Sequence, residues 1–206
     1  MTVKIGSVTE AEALLEGIDA AVFDLDDTLY PEKDYVRSGF EAAAALFPDR
    51  PDAAARLWEA FESGRPAFDE VFGAARSAEA LRVYRAHTPN IRLYPGVREM
   101  LSRLHGRKKL GLITDGRPEG QRAKIAALGI EVLFDEIVIT DELGGPEHRK
   151  PSPEAFEIMS RRLDVPFARM AYIGDNISKD FTAPEKLGMR CIWFQNPGGL
   201  YYEERK

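Results

Sequence analysis

The sequence predicts an α/β fold in which a parallel sheet carries helices on both faces. Five short apolar runs, each rich in β-branched or aromatic residues, indicate buried strands. The runs are 20–23, 110–113, 136–139, 170–173 and 190–194. Apolar runs of this length, bounded by turn residues, are typical of strands that are covered on both faces. Helical periods alternate with the runs, and such alternation favours a parallel sheet.

Helix ends are marked in the segments between these runs. Val97, Leu101 and Leu104 recur with helical spacing, and Gly106 follows as a stop signal. Gly129 marks the end of the next helix in the same way.

A third helix has a marked start. Ser152 offers a cap, Pro153 suits the first helical position, and Glu154 supplies an early acid. These residues predict a helix that begins at Pro153.

Residues 31–90 interrupt the alternation, because they contain four helical stripes and no strand pattern. A crossover between parallel strands requires only about one helix. The segment therefore predicts a small all-helical cap, inserted after the first strand, that has its own core. The catalytic core then comprises residues 1–30 and 91–206. The alternative is a set of ordinary crossover helices.

Composition excludes several classes of protein. The 206 residues are 44% hydrophobic and 30% charged, as in globular proteins rather than collagen, disordered chains or membrane bundles. The net charge of −6 argues against a dedicated nucleic-acid binder, which would present a basic face.

The location and assembly of the chain are predicted from weaker signals. Cys191 is the one cysteine and lies in an apolar run, which predicts a buried thiol and excludes a disulfide within the chain. We expect no membrane partner, because no apolar run approaches the length of a spanning helix and no secretory signal is present. The expectation is a cytoplasmic monomer or homodimer.

Chemically capable side chains follow successive predicted strands. They are Asp24 and Asp26 after the first strand, Thr114 after the second, Lys150 after the third, and Asp175 and Asp180 after the fourth. Ligands of open α/β sheets gather beyond the carboxyl ends of the strands. Each residue alone is a weak signal, and their order at successive strand ends makes the pattern specific.

This order of motifs resembles the haloacid dehalogenase (HAD) superfamily of phosphohydrolases. The motifs are DLDDT, the hydroxyl residue of LITDG, the lysine of RKPSPEAF, and GDNISKDF. The match spans residues 20 to 195, and the helical insertion resembles the cap of the phosphoglycolate-phosphatase-like branch. The resemblance implies a Rossmann-like core with a central first strand, and dependence on Mg²⁺.

The two aspartates after the first strand suit different roles. Asp24, at the strand tip, can be aimed at phosphorus as the nucleophile. Asp26 can act as general acid toward the leaving oxygen and then as general base toward water. The role of Asp27 stays open between hydrogen bonding within the turn and a direct part in the reaction.

Four aspartates around a phosphate require cations, and Mg²⁺ is the expected cofactor. The resemblance implies that Asp24, the backbone carbonyl of Asp26 and Asp175 bind the metal. Asp180 is expected as a ligand or as a residue that holds one. With Asp26 protonated, one Mg²⁺ and Lys150 bring the net charge of the site near zero.

The substrate phosphate is expected to bind at the end of the second strand. Thr114 and the backbone around Asp115 and Gly116 would hold its oxygens, and Lys150 would balance the charge that redistributes. Further candidates for substrate binding are Tyr30, Arg65 and Arg117. For Arg65 the alternative is a solvated surface arginine.

The sequence therefore predicts a phosphoric monoester hydrolase. The expected substrate is a small phosphorylated metabolite, such as a sugar phosphate or a nucleotide monophosphate, and the expected intermediate is an aspartyl-phosphate. A phosphomutase and a non-catalytic phosphometabolite-binding protein are the alternatives. A dehalogenase would need neither Asp26 nor Mg²⁺.

Overall fold

The computed structural model describes residues 2–200 and 202. The chain divides into two compact units. The first, the α/β unit, is formed by the chain up to Glu32 and from Arg92 onward. The second, the helical unit, is Lys33–Ile91.

A six-stranded parallel sheet forms the centre of the α/β unit. The strands are β1 Thr2–Ile5, β2 Ala20–Phe23, β3 Lys109–Thr114, β4 Glu136–Ile139, β5 Met170–Gly174 and β6 Arg190–Phe194. Their order across the sheet is β1-β6-β5-β2-β3-β4. Strand β2, the first strand predicted from the sequence, therefore lies in the interior of the sheet between β5 and β3.

All five predicted strands are confirmed, with ends that differ by at most one residue. The sequence prediction missed the edge strand β1, which pairs in parallel with β6 so that Ile5 lies opposite Phe194. Only Ile5 of its four residues is buried. An edge strand with this exposure needs no continuous apolar run, so the pattern used for the buried strands could not find it.

Eight α-helices are present in the described part of the chain. They are α1 Glu32–Ala44, α2 Ala53–Glu62, α3 Ala67–Phe72, α4 Ala74–Ala86, α5 Val97–Leu104, α6 Pro118–Leu128, α7 Glu154–Leu163 and α8 Thr182–Leu187. Among the described residues, none of these helices is both long and apolar enough to cross a membrane.

Two of the predicted helix ends are confirmed and one predicted start is shifted. Gly129 follows α6 with a φ of 60°, and Gly106, with a φ of 77°, lies two residues beyond the end of α5. Helix α7 begins at Glu154, so Pro153 lies immediately before the helix instead of occupying its first position. The difference is one residue, within the usual uncertainty of helix boundaries.

The sheet is covered on both faces. On one face Val22 and Tyr172 join the same apolar cluster as Phe156 and Met159 of α7. Alternate strand residues point the opposite way, and Phe23 on that other face is also fully buried. Cys191 is 1% exposed, as predicted, and burial raises the pKa of its thiol to about 12.

The helical unit has its own apolar core. Its core residues come from α1 to α4 and include Phe40, Leu57 and Phe72. Phe40 packs edge-on against Phe61 and Phe68, with ring centroids 5.9 and 5.7 Å apart. Every residue from Lys33 to Ile91 is described, and no strand lies among them.

Candidate active site

The carboxyl ends of three adjacent strands bring the predicted site residues to one edge of the sheet. Strand β2 lies between β5 and β3, and Phe23 pairs with both Ile173 and Leu112. The amide of Asp24 continues this pairing by donating to the carbonyl of Ile173 at 2.9 Å. The side chains that follow the three strands therefore start from neighbouring positions.

Three of the predicted residues form an acidic triad, namely Asp24, Asp175 and Asp180. Each offers a carboxylate oxygen, and these oxygens lie within 4.8 Å of one another. All three residues are buried. Asp180 Oδ1 is paired with the ammonium of Lys150 and accepts no well-aligned hydrogen bond from any described residue. Buried carboxylates at this spacing fit a hard divalent cation such as Mg²⁺.

Lys150 supplies the positive charge beside the triad. Its Nζ lies 2.5 Å from Asp24 Oδ1 and 2.9 Å from Asp180 Oδ1, and its side chain is fully buried. It also donates to the hydroxyl of Tyr172 at 2.9 Å. Burial alone would lower the pKa of Lys150, but Asp180 and Asp24 outweigh it and raise that pKa well above its usual value. Lys150 is therefore charged.

Asp24 has a raised pKa of about 7. Burial is the main cause, and the negative charge of Asp180 adds to it, while Lys150 acts in the opposite direction. A carboxylate with this shift needs additional positive charge before it is fully ionised at neutral pH.

Gly174, the last residue of β5, allows Asp180 to reach the triad. Asp180 Oδ2 accepts a hydrogen bond from the amide of Asn176 at 2.8 Å, which holds the carboxylate against the end of the strand. A Cβ atom on residue 174 would lie 2.5 Å from Asp180 Oδ2 and 2.9 Å from its Cγ. Any larger residue at this position would displace Asp180.

Asp26 lies two residues from Asp24 in a separate environment. Lys124 Nζ donates to its Oδ1 at 2.7 Å, and Gln121 Nε2 donates to its Oδ2 at 2.8 Å. The hydroxyl of Tyr30 also donates to Oδ1. Burial would raise the pKa of Asp26, but Lys124 and these hydrogen bonds outweigh it and lower that pKa.

This environment corrects one expectation from the sequence. Asp26 was expected to carry the proton that brings the site near neutrality, and the structure favours its ionised form instead. The reason is Lys124, a buried cation that was not included in the predicted charge balance. The Asp26 carboxylate also lies outside the acidic triad.

Asp27 shapes the turn that follows. Its φ of 54° is left-handed, and its carboxylate accepts hydrogen bonds from the amides of Glu32 at 2.9 Å and Leu200 at 2.7 Å. Both oxygens are therefore used by the backbone. Of the two roles left open by the sequence, these bonds favour hydrogen bonding within the turn.

Thr114 ends β3 and is fully buried, and its Oγ1 accepts a hydrogen bond from Gln121 Nε2. Gly116, two residues later, has a φ of 131°, which favours glycine. Thr114 and the backbone carbonyl of Asp115 are thus held close to Asp26 through the same amide group of Gln121.

Asp115 binds three donors of the protein. Its Oδ1 accepts from the hydroxyl of Thr140 at 3.0 Å and from the amide of Lys150 at 3.1 Å. Its Oδ2 accepts from Lys179 Nζ at 3.2 Å. Asp115, predicted to bind substrate, thus organises the loop that carries Lys150.

The remaining predicted substrate residues lie in different places. Tyr30 is 0% exposed, and its hydroxyl donates to Asp26. The structure therefore leaves Tyr30 no surface for the substrate contact that the sequence predicted. Arg117 is exposed just before α6. Arg65 lies in the helical unit, where Glu59 and Glu70 pair with its guanidinium.

Several polar residues at the site were not predicted from the sequence. Gln121 and Lys124 are the clearest cases, since both are buried on α6. They share the helical stripe of Ile125 and Leu128, so polar residues in an apolar stripe were the available signal. Glu32 was also missed, and burial together with Asp26 raises its pKa to about 8.

A small cavity opens between these groups. Its lining is mostly acidic and consists of Asp24, Asp26, Asp27, Glu32, Asp115, Asp175, Asn176 and Lys179. The cavity thus touches both the triad and Asp26, which suits it to a small ligand held between the two.

Fold and site together define an α/β protein with a cluster of buried carboxylates at the ends of parallel strands. The family model of haloacid dehalogenase-like hydrolases matches residues 18–188. The chain belongs to this family, as the resemblance of its motifs predicted.

The chain is similar to a glyceraldehyde 3-phosphate phosphatase of Methanopyrus kandleri. The two are 30% identical over 196 residues, which cover 85% of this chain and 83% of the relative.

Solved structures share the fold. A HAD-superfamily hydrolase of subfamily IA from Geobacter sulfurreducens aligns with a TM-score of 0.67 at 17% identity, over 88% of this chain and 89% of its own. The HAD hydrolase YfnB of Bacillus subtilis, a structure with bound magnesium, aligns with a TM-score of 0.59 at 22% identity, over 85% and 86% of the two chains. The predicted α/β fold class is confirmed.

Proposed function

We propose that this chain is a Mg²⁺-dependent phosphatase that hydrolyses small phosphorylated metabolites through an aspartyl-phosphate on Asp24. The observation that carries the proposal is the acidic triad at the strand ends, with Lys150 bound to two of its members. The similarity to a phosphatase of a three-carbon phosphate makes glyceraldehyde 3-phosphate the first substrate to test.

Asp24, Asp175 and the backbone carbonyl of Asp26 would hold the Mg²⁺ ion. Asp180 would be a further ligand or would hold one in place. When bound, the ion would neutralise charge on the phosphate and favour the ionised form of Asp24. The raised pKa of Asp24 supports this requirement for a cation.

In the first step, an oxygen of Asp24 attacks phosphorus and the bond from phosphorus to the leaving oxygen breaks. Asp24 Oδ1 is held by Lys150 at 2.5 Å, whereas the hydroxyl of Thr28 lies 3.5 Å from Oδ2. These contacts fix the direction of the carboxylate before the substrate arrives. Asp26 gives its proton to the leaving oxygen.

The first step requires protonated Asp26, although its pKa is lowered in the free site. The negative charge of a bound phosphate would raise that pKa and favour uptake of a proton. In the second step, water attacks phosphorus, Asp26 accepts a proton from this water, and the bond to Asp24 breaks to release orthophosphate. The site then returns to its starting state.

Thr114 would bind a phosphoryl oxygen, and Lys150 would stabilise the charge that develops there. The α/β unit would be the catalytic core and the helical unit a cap that selects the substrate. A cytoplasmic location and a monomeric or homodimeric state stay predictions from the sequence.

The test is orthophosphate release from a panel of metabolites with Mg²⁺ or with a chelator. The panel contains glyceraldehyde 3-phosphate, sugar phosphates and nucleoside monophosphates. Asp24→Asn should remove the activity. Asp164→Asn is the matched control, because Asp164 is exposed after α7 and its φ of 54° suits asparagine.

Each outcome has a distinct meaning. Activity that requires Mg²⁺ and Asp24 supports the proposal, whereas full activity of Asp24→Asn overturns it. Return of labelled phosphate to the substrate skeleton would identify a phosphomutase. Tight binding of a phosphometabolite without turnover would identify a binding protein.

A further inference from the structure

Helix α6 connects the loops after β2 and β3 through two buried polar side chains. Gln121 is 3% exposed and Lys124 is 5% exposed. They are three residues apart, so they lie on the same face of the helix. Burial of an amide and an ammonium is costly unless both are bound, and Asp26 receives hydrogen bonds from both.

The bonds hold both oxygens of the Asp26 carboxylate. Lys124 Nζ contacts Oδ1 at 2.7 Å and Gln121 Nε2 contacts Oδ2 at 2.8 Å. Together with the Tyr30 hydroxyl on Oδ1, these donors on both oxygens restrict rotation of the carboxylate about its Cβ–Cγ bond. A single donor would leave this rotation less restricted.

Gln121 also relates Asp26 to the end of β3. Its Nε2 contacts the Oγ1 of Thr114 and the carbonyl of Asp115, the latter at 2.9 Å. The amide carries two hydrogens, which these oxygens and Asp26 share. The position of Asp26 is therefore tied to the strand end at which the substrate phosphate is expected.

We propose that Lys124 and Gln121 are positioning residues that aim the Asp26 carboxylate at the leaving oxygen. The inference rests on the proposed function, in which Asp26 exchanges protons with that oxygen and then with water. Neither α6 residue touches the substrate in this scheme, and both act through Asp26.

The test compares two kinds of leaving group. An alkyl phosphate needs a proton on its leaving oxygen, whereas p-nitrophenyl phosphate releases a stable phenolate without one. The probes are p-nitrophenyl phosphate and the alkyl phosphate of the panel that the wild type hydrolyses fastest. A residue that aims the proton donor should matter mainly for the alkyl ester.

Lys124→Met should lower kcat/KM for the alkyl phosphate by about 30-fold and for p-nitrophenyl phosphate by less than about threefold, since general acid catalysis contributes roughly 10²–10⁴-fold. Lys124→Arg should recover part of the loss, because it keeps a charged donor. Lys186→Met, an exposed lysine on α8, is the matched control and should be unchanged.

A double-mutant cycle separates aiming from general support of the fold. In an Asp26→Asn background, Lys124→Met should lower alkyl phosphate hydrolysis by less than about twofold, because the group that it aims has already been changed. Gln121→Met gives a second, independent variant if Lys124→Met does not fold. It should likewise lower kcat/KM more for the alkyl phosphate than for p-nitrophenyl phosphate.

Equal losses for both esters, or full additivity with Asp26→Asn, would overturn the inference while the proposed function stands. If the wild type hydrolyses no phosphate ester with Mg²⁺, the proposed function itself fails. The two failures are therefore distinguished by the wild type alone.

Discussion

Asp24 and Asp26 leave the same strand two residues apart, yet they lie in opposite electrostatic surroundings. Asp24 is buried beside Asp180, and its pKa is raised to about 7 in spite of Lys150. Asp26 is held by Lys124 and by neutral donors, and its pKa is lowered. Because both aspartates follow the same strand, the difference between their pKa values comes from the elements that pack against them.

Each of the two carboxylates binds a different lysine. Lys150 reaches Asp24 from the loop after β4, and Lys124 reaches Asp26 from α6. Lys150 also contacts Asp180, so it binds two acids. Lys124 binds Asp26 together with neutral donors such as Gln121. This division separates the pKa values of the two carboxylates in the metal-free site. In the proposed reaction, Mg²⁺ would lower the pKa of Asp24 and the substrate phosphate would raise that of Asp26.

The largest expected effect comes from changing the two aspartates separately. With p-nitrophenyl phosphate, Asp24→Asn should give neither a burst nor turnover, because no phosphoenzyme forms. Asp26→Asn should release about one nitrophenolate per enzyme and then turn over roughly 10²–10⁴-fold more slowly, because water lacks its base. Rapid-mixing absorbance measurements check both, and a burst from Asp24→Asn would contradict the division of roles.

The next effect concerns the Asp24 side alone. Gly174→Ala should displace Asp180 and weaken Mg²⁺ activation by about 10–100-fold, the range for residues that orient metal ligands. A titration of activity against Mg²⁺ measures this. Gly6→Ala is the matched control, since its Cβ would come no closer than 3.7 Å to Glu10. Unchanged Mg²⁺ dependence in Gly174→Ala would remove Asp180 from the metal site.

The pH dependence of stability tests the raised pKa of Asp24. The pKa of Asp24 is about 7 in the folded protein, and its ordinary value is 3.8. Without metal, protonated Asp24 therefore stabilises the fold, and this stabilisation is fully present below pH 3.8. This contribution is lost as the pH rises through about 7. Mg²⁺ needs the ionised form, so it should stabilise the protein more at about pH 8 than at about pH 5.5.

At a hundredfold excess over its Kd, the ion should add about 2.7 kcal/mol. Thermal unfolding with and without Mg²⁺ at the two pH values measures the difference. An increase in Tm that is the same at both values would show that Asp24 does not titrate in this range.

The smallest effect concerns one donor on the Asp26 side. Tyr30→Phe removes a hydrogen bond to Asp26, worth about 1 kcal/mol, and should lower kcat/KM for alkyl phosphates about fivefold. Tyr172→Phe is the matched change on the Asp24 side, where the hydroxyl contacts Lys150. It should lower kcat/KM equally for alkyl and nitrophenyl esters. A loss confined to alkyl esters in Tyr172→Phe, with equal losses in Tyr30→Phe, would contradict the separate roles of the two aspartates.

Much of this fold could be predicted because buried parallel strands leave a continuous apolar pattern. That pattern located β2 to β6 within one residue and placed Asp24 at a strand end. Strand β1 escaped because an exposed edge strand does not require the pattern. The residues of the acidic triad followed from the motif order at successive strand ends.

The environment of Asp26 could not be predicted in the same way. Lys124 is 98 residues away from Asp26 in the sequence, and their contact depends on where the fold places α6 relative to the turn after β2. No local pattern specifies which charge a buried lysine meets. Tyr30 illustrates the same limit, because its position beside the first motif predicted a substrate contact, while packing buries it completely.

The central step of the proposed reaction is the formation of an acyl phosphate at Asp24. Enzyme quenched in acid during turnover and reduced with borohydride should contain homoserine in place of Asp24, detectable by mass spectrometry of the peptide that spans β2. The adjacent Asp26 should be unmodified. Homoserine at another position, or unmodified Asp24 in enzyme that turns over its substrate, would contradict the account.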